Sequence, residues 1–126
     1  LRKAGLPAAD VGKPDRHFWR YETREGVPVG FGGLEVHGPD ALLRSVVTIP
    51  PMRGRGFGSA MVAALEAEAA LRGCHTIWLL TASSEGFFAR LGYVRHDRDN
   101  APEAIRNTEE FASLCPASAA LMVKRL

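Results

Sequence analysis

The stretch Pro50-Pro51-Met52-Arg53-Gly54-Arg55-Gly56-Phe57-Gly58-Ser59 (PPMRGRGFGS) sets three glycines two apart, between an apolar run and an alanine-rich one. Upstream, ALLRSVVTI (41–49) reads as a strand. Downstream, Met61, Val62, Leu65 and Ala69 recur at helical spacing between Gly58 and Arg72, with Glu66, Glu68 and Arg72 facing away and Gly73 as a stop. Strand, glycine turn and helix start together form an anion site. The first helical N–H groups have no intrahelical acceptor, the helix dipole favours negative charge there, and glycine lets an oxygen approach the backbone. Arg53 and Arg55 add positive charge. Two nucleotide loops are excluded by spacing. No lysine follows Gly58, as a Walker A loop requires, and Gly54, Gly56 and Gly58 do not make Gly-x-Gly-x-x-Gly. A glycine connection that binds nothing is the weaker reading beside two arginines and an amphipathic helix.

Working outward, HFWRYET (17–23) and VPVGFGGLEVHG (27–38) alternate as strands around a turn at Arg24-Glu25-Gly26. Pro28 argues for an edge or strand-start position, and Gly30, Gly32 and Gly33 permit a bulge or a close backbone approach. Gly38-Pro39-Asp40 turns the chain into 41–49, so three consecutive strands predict an antiparallel meander. Residues 1–12 read as a helix end followed by a Gly-Pro-rich turn. HTIWLLT (75–81) is a buried strand, and strand–helix–strand order predicts a parallel β-α-β unit. Ser83 or Ser84 can cap a short helix carrying Phe87, Phe88 and Leu91, stopped by Gly92. YVRHD (93–97) is a short strand, Pro102 suits a first helical turn, Asn107-x-x-Glu110 can re-cap a second turn, and ASAALMVKR (117–125) closes as a strand. The expectation is one α/β (α+β) domain over residues 1–126, with a mixed central sheet.

The totals set limits on function. At 126 residues the chain can bury one sizeable core, and no run of about 18 apolar residues reads as a membrane span. No basic-then-apolar leader opens the chain, and Leu1 in place of Met reads as a trimmed natural start. Net charge is only +2, and Arg53 and Arg55 are clustered in the glycine turn, which fits a local anion better than nucleic acid. Cys74 and Cys115 lie far apart and the four histidines never pair at ligand spacing, so no metal is expected. A cytoplasmic location follows, with Cys74 as core packing after Gly73.

Against this background a family resemblance becomes specific. Arg53-Gly54-Arg55-Gly56-Phe57-Gly58 resembles the Arg/Gln-x-x-Gly-x-Gly/Ala signature of the GNAT superfamily of acetyltransferases. Thr48-Ile49-Pro50 resembles its Val-x-Pro strand end, and Phe87-Phe88-Ala89-Arg90-Leu91-Gly92-Tyr93 its Phe-Tyr-x-x-x-Gly-Phe motif. AIRNTEEFASLCPASA (104–119) is similar to the branch named for arsenic-resistance operons, whose members carry a first strand and most of a first helix ahead of the position of Leu1. The resemblance therefore implies that those elements are missing here.

The resemblance implies a GNAT fold with an antiparallel N-terminal meander and a β-α-β core that binds acetyl-CoA as acetyl donor. Acetyl-CoA would lie in a split between strands at Leu43–Ile49 and Thr76–Thr81, its pyrophosphate on the amides of Arg53 to Ser59 and its pantetheine arm against the backbone near Thr48 and Ile49. The helix with Phe87 and Phe88 would flank the thioester, and Thr81 and Ser84 could bond the cofactor or merely cap that helix. Phe88 stands where many relatives carry a general-acid tyrosine, and Tyr93 where they carry phenylalanine, so the usual proton donor is missing. For a base, the alternation Val29, Phe31, Gly33 puts Glu35 and His37 on an apolar face, with the alternatives that a bulge turns Glu35 to solvent or an arginine pairs with it. The expected activity is acetyl transfer to the amine of a small molecule, in a monomer or homodimer with no nucleic-acid or membrane partner. The branch resemblance extends this to an amino-acid-like toxicant in arsenic resistance and detoxification. An acyl-CoA sensor without catalysis, or a protein N-acetyltransferase, are the competing readings. Leu114-Cys115-Pro116 offers a single thiol, a poor arsenite site, and its surroundings could instead wall the acceptor pocket.

Overall fold

A computed structural model describes residues 2–5, 16–108, 111 and 119–126. Among these residues, seven strands form one sheet in the order β1-β2-β3-β4-β5-β7-β6. They are β1 (Arg2–Gly5), β2 (Arg16–Glu22), β3 (Pro28–His37), β4 (Asp40–Thr48), β5 (Thr76–Thr81), β6 (Val94–His96) and β7 (Ala120–Arg125). Helices α1 (Phe57–Leu71), α2 (Glu85–Arg90) and α3 (Glu103–Arg106) complete the domain. The predicted meander is present and gains a strand. Residues 2–5 do not end a helix: they pair antiparallel with β2, from Arg2 opposite Glu22 to Gly5 opposite Trp19. Their backbone thereby meets N–H and C=O groups that an edge strand would leave open. The last strand starts at Ala120. Ala117, Ser118, Glu110 and Cys115 lie outside the described residues.

Two clusters of buried side chains lie on opposite faces of the sheet. Ala41 and Leu43 join the cluster built on Met61, Val62, Leu65 and Ala69 of α1, whereas Leu42 between them joins Trp78, Leu121, Ala101 and Ile105. This is the two-residue alternation of a strand buried on both faces. The connection from β6 to β7 covers the second face through Ala101 and Ile105. Arg98 pins it, donating to Ala119 O (2.9 Å) and lying 4.6 Å over the Phe111 ring.

Local chemistry refined several expected boundaries. Ser84 occupies the cap position of α2 but its side chain makes no cap bond; Thr81 Oγ1 accepts the Ser84 N–H instead (2.9 Å). Pro102 sits one residue before α3, at its cap. Glu66 was expected to face solvent, yet it accepts from Tyr93 Oη (2.9 Å) and Lys124 Nζ (3.0 Å), tying α1 to the far edge of the sheet. Glu68 and Arg72 do pair along the exposed side of α1.

The β3 glycines mark close approach. The β3–β4 register shifts between Phe31 and Gly33, and a Cβ at Gly30 would stand 2.1 Å from the Val47 carbonyl oxygen. Gly30→Ala must therefore push two backbones apart, with an expected loss of about 1–3 kcal/mol. Urea unfolding of the variant measures it.

Candidate active site

β4 and β5 run parallel, but they pair only through Asp40–Thr76, Ala41–Ile77 and Leu42–Trp78. Beyond that point β4 stays with β3 as far as Thr48, while β5 stays with β7 as far as Thr81. The two strands part because each follows a different neighbour, and β4 passes the register shift opposite Phe31–Gly33 just where the parting begins. A small cavity of about 190 Å³ fills the gap, walled by Leu43, Arg44, Val46, Leu79, Leu80, Thr81, Ser84 and Phe88.

The glycine turn lies at the open end of the gap. Gly54 and Gly56 have φ of +80° and +78°, left-handed backbone that glycine adopts without a Cβ penalty. This tight path starts α1 at Phe57 with Gly56 as cap and no side-chain cap bond. The first helical bond is Ala60 N–H to Gly56 O (3.2 Å), so the amides of Phe57, Gly58 and Ser59 precede it and lie at the positive end of a 15-residue helix. Arg53 Nε donates to Thr48 O (3.2 Å) and clips the turn to the strand end.

A cleft of about 750 Å³ runs from this turn to the parted strands. Of the residues singled out from sequence, Thr48, Arg53, Gly54, Gly56, Gly58, Ser59, Ser84 and Phe88 line it. Thr81 lines the inner cavity. Ile49, Arg55 and Phe57 do not line the cleft with the others: Ile49 N–H bonds Val29 O, Arg55 reaches Met52 Sδ, and Phe57 packs on the α1 core. Val46, Val47, Met52, Ser83 and Phe87 line the cleft as well. Phe87 belongs to the motif already quoted, whereas Val46, Val47 and Met52 are ordinary apolar residues that only their position reveals. Amide donors at one end and apolar walls at the other suit a long ligand with an anionic head and a neutral arm.

Phe88 is buried edge-on against Phe87 and Tyr93 at centroid distances of 5.0 and 5.7 Å, and it borders both cavities. Tyr93 supplies no proton to the gap. Its hydroxyl is committed to Glu66, and burial together with the Glu66 charge raises its pKa. Tyr21 is pushed up to about 12 by burial and Glu68. Both folded-state values exceed the unfolded one, so this stabilisation is fully present below about pH 10 and is lost as pH rises through the folded values. Tyr93→Phe should cost about 1 kcal/mol at neutral pH. It should also flatten the alkaline loss of stability, which unfolding curves from neutral to alkaline pH would measure.

Glu35 and His37 stand on the face opposite α1, where Glu35 opposes Leu42 and Gly33 opposes Arg44. Val29 breaks the expected alternation and joins the α1 cluster, since the β2–β3 register shifts between Tyr21 and Glu22. Glu35 is buried and pairs with arginine: Arg44 Nη1 lies 2.5 Å from Oε2, and Arg16 Nε 3.6 Å from Oε1. His37 Nε2 lies 3.4 Å from Oε1 and is the more exposed, at 25% of its side chain against 3% for Glu35. Cys74 is buried and free, its thiol 3.6 Å from Gly38 O and pushed up by burial. No helix among the described residues is long and apolar enough to cross a membrane.

Residues 4–93 match the acetyltransferase (GNAT) family. The chain belongs to that family. The seven-stranded mixed sheet with its helices is the GNAT fold, and solved structures share it. N-acetylglutamate synthase from Neisseria gonorrhoeae, complexed with coenzyme A and N-acetyl-glutamate, superposes with a TM-score of 0.76 at 21% identity over 86% of this chain and 25% of that one. Rv2747 from Mycobacterium tuberculosis, in complex with CoA and NLQ, gives 0.72 at 27% identity over 86% of this chain and 75% of that one. In sequence, 52 residues are 44% identical to N-alpha-acetyltransferase 80 of Mus musculus, covering 41% of this chain and 17% of that protein. The GNAT chain described here thus spans a quarter or less of two of these relatives.

Proposed function

We propose that this GNAT chain transfers acetyl from acetyl-CoA to the amine of a small molecule. The observation that carries the reading is the continuity of three features: uncapped amides of α1, a long cleft, and a gap between β4 and β5. The pyrophosphate of acetyl-CoA would take the amides of Phe57, Gly58 and Ser59, with Arg53 beside them. The pantetheine arm would follow Val46 to Thr48, bringing the thioester to Phe88 and the inner cavity. Complexes of two GNAT neighbours with CoA support this choice of donor.

The amine nitrogen attacks the thioester carbonyl, the C–N bond forms, and the C–S bond breaks to release the CoA thiolate. An ammonium must lose a proton before it can attack. Glu35 is proposed to accept it, with His37 beside it as the more exposed step toward solvent. The thiolate takes its proton from the amine or from water, since Phe88 has none to give. The resemblance to the arsenic-operon branch favours an amino-acid-like toxicant as acceptor and a role in resistance.

Release of free CoA during incubation with acetyl-CoA and a panel of amines tests the reading. Acetyl-CoA binding without turnover on any amine would instead favour the sensor, the reading that Phe88 keeps in play. Turnover only on peptide N-termini would favour a protein acetyltransferase, in line with the name of the mouse relative.

A further inference from the structure

We propose that Ser84 is a catalytic residue, whose hydroxyl donates to the CoA sulfur as the thioester breaks and hands it a proton. This rests on the acetyl-transfer reading and supplies the route for the proton that Phe88 cannot give. The thioester sulfur carries the pantetheine arm on one side and the acetyl carbon on the other. In that reading the arm occupies the cleft and the acetyl group meets the inner cavity. The breaking C–S bond then lies where the two spaces join. Val46, Ser84 and Phe88 are the described residues that border both. Two of those side chains are hydrocarbon, and Ser84 alone carries a proton on oxygen. Thr81, the other hydroxyl of the inner cavity, does not border the cleft.

The backbone holds Ser84 in place and leaves its side chain for a ligand. Its N–H donates to Thr81 Oγ1 (2.9 Å), and its carbonyl accepts the Phe88 N–H (3.1 Å). A serine before a helix ordinarily accepts an amide N–H of the first turn. Ser84 does not: its ψ of 24° is far from the extended backbone of a capping residue, and its side chain makes no cap bond. Among the described residues, no hydrogen bond engages its Oγ.

A hydroxyl at that junction matches the charge the reaction creates. Cleavage leaves a thiolate in a confined space, where an anion without a donor is costly. A hydrogen bond to an anion is roughly twice as strong as one between neutral groups, so it favours the transition state over the bound thioester. A serine hydroxyl is a weaker acid than a thiol and must end the step protonated. As its proton moves to sulfur, its lone pair takes the N–H proton of the newly acylated nitrogen. The C–N bond has formed and the C–S bond has broken. The products are the neutral amide and the CoA thiol, with Ser84 unchanged.

The test titrates the thiol of CoA bound to the full chain by thiolate absorbance, with the desulfo-CoA complex as blank. A donated hydrogen bond favours the thiolate, so Ser84→Ala should raise the pKa of the bound thiol by about one to two pH units. With acetyl-CoA and the amine panel, the same variant should lower kcat roughly 10- to 100-fold. Ser84→Thr, which keeps a hydroxyl, should restore most of both. Affinity for desulfo-CoA, measured by calorimetry, should stay at the wild-type value, which also establishes that each variant is folded. A raised thiol pKa in Ser84→Ala, with no turnover of any amine by the wild type, would sink the transfer reading and leave Ser84 at the sulfur. A thiol pKa that Ser84→Ala leaves unmoved would overturn the assignment, whether or not kcat falls. So would an equal loss of CoA and desulfo-CoA affinity, which would make Ser84 a contact of the pantetheine arm instead.

Discussion

Glu35→Gln is expected to lower kcat roughly a hundredfold or more, the usual scale for loss of a general base. Glutamine keeps the shape of the side chain and cannot take the proton. The glycine turn and cleft lie beyond the point where β4 and β5 part, so affinity for acetyl-CoA should stay at the wild-type value. The substitution also removes a buried carboxylate from Arg44 and Arg16, a change worth on the order of 3 kcal/mol. Kinetics should therefore be measured alongside a denaturation curve, well below the unfolding midpoint. Retained turnover in a folded variant would remove Glu35 as base. Loss of acetyl-CoA affinity together with kcat would mean that the ion cluster shapes the whole cleft.

Gly56→Val should weaken CoA binding roughly 100-fold or more, about 2.7 kcal/mol. Two physical effects combine. A β-branched residue at φ +78° is strained by roughly 1–3 kcal/mol. No atom stands within 4 Å of the position a Cβ would take, and Gly56 borders the cleft, so the added side chain occupies space meant for ligand. Relaxing the strain would also re-aim the first amides of α1, since Gly56 is its cap. Calorimetric titration of CoA measures the loss, and affinity equal to wild type would remove the turn as the pyrophosphate cradle. Gly26, which also has positive φ (+84°) and open surroundings, provides the control. Gly26→Val carries similar strain at a residue that does not line the cleft and should bind CoA normally.

The parts of the site that depend on local chain conformation were legible early. Gly54 and Gly56 do adopt the left-handed turn that their spacing implied, and α1 starts where the apolar period begins. Gly73 and Gly92 end their helices with positive φ for the same reason: the constraint acts within a few bonds. Side-chain partners were less legible. Glu66 looked solvent-facing by helical phase, but its partners Tyr93 and Lys124 lie 27 and 58 residues away. That an arginine pairs with Glu35 became visible only once folding brought Arg44, nine residues on, into contact across the β3–β4 hairpin.

By itself, the sequence determined the strand–turn–helix path at PPMRGRGFGS and the burial of β5. These follow from backbone conformation and short-period patterning, which act between neighbours along the chain. Tertiary structure alone decided where β4 leaves β5, which side chains wall the gap, and that Arg44 stands in it with Glu35 behind. Those depend on which strand each segment chose as its partner, and no local period records that choice.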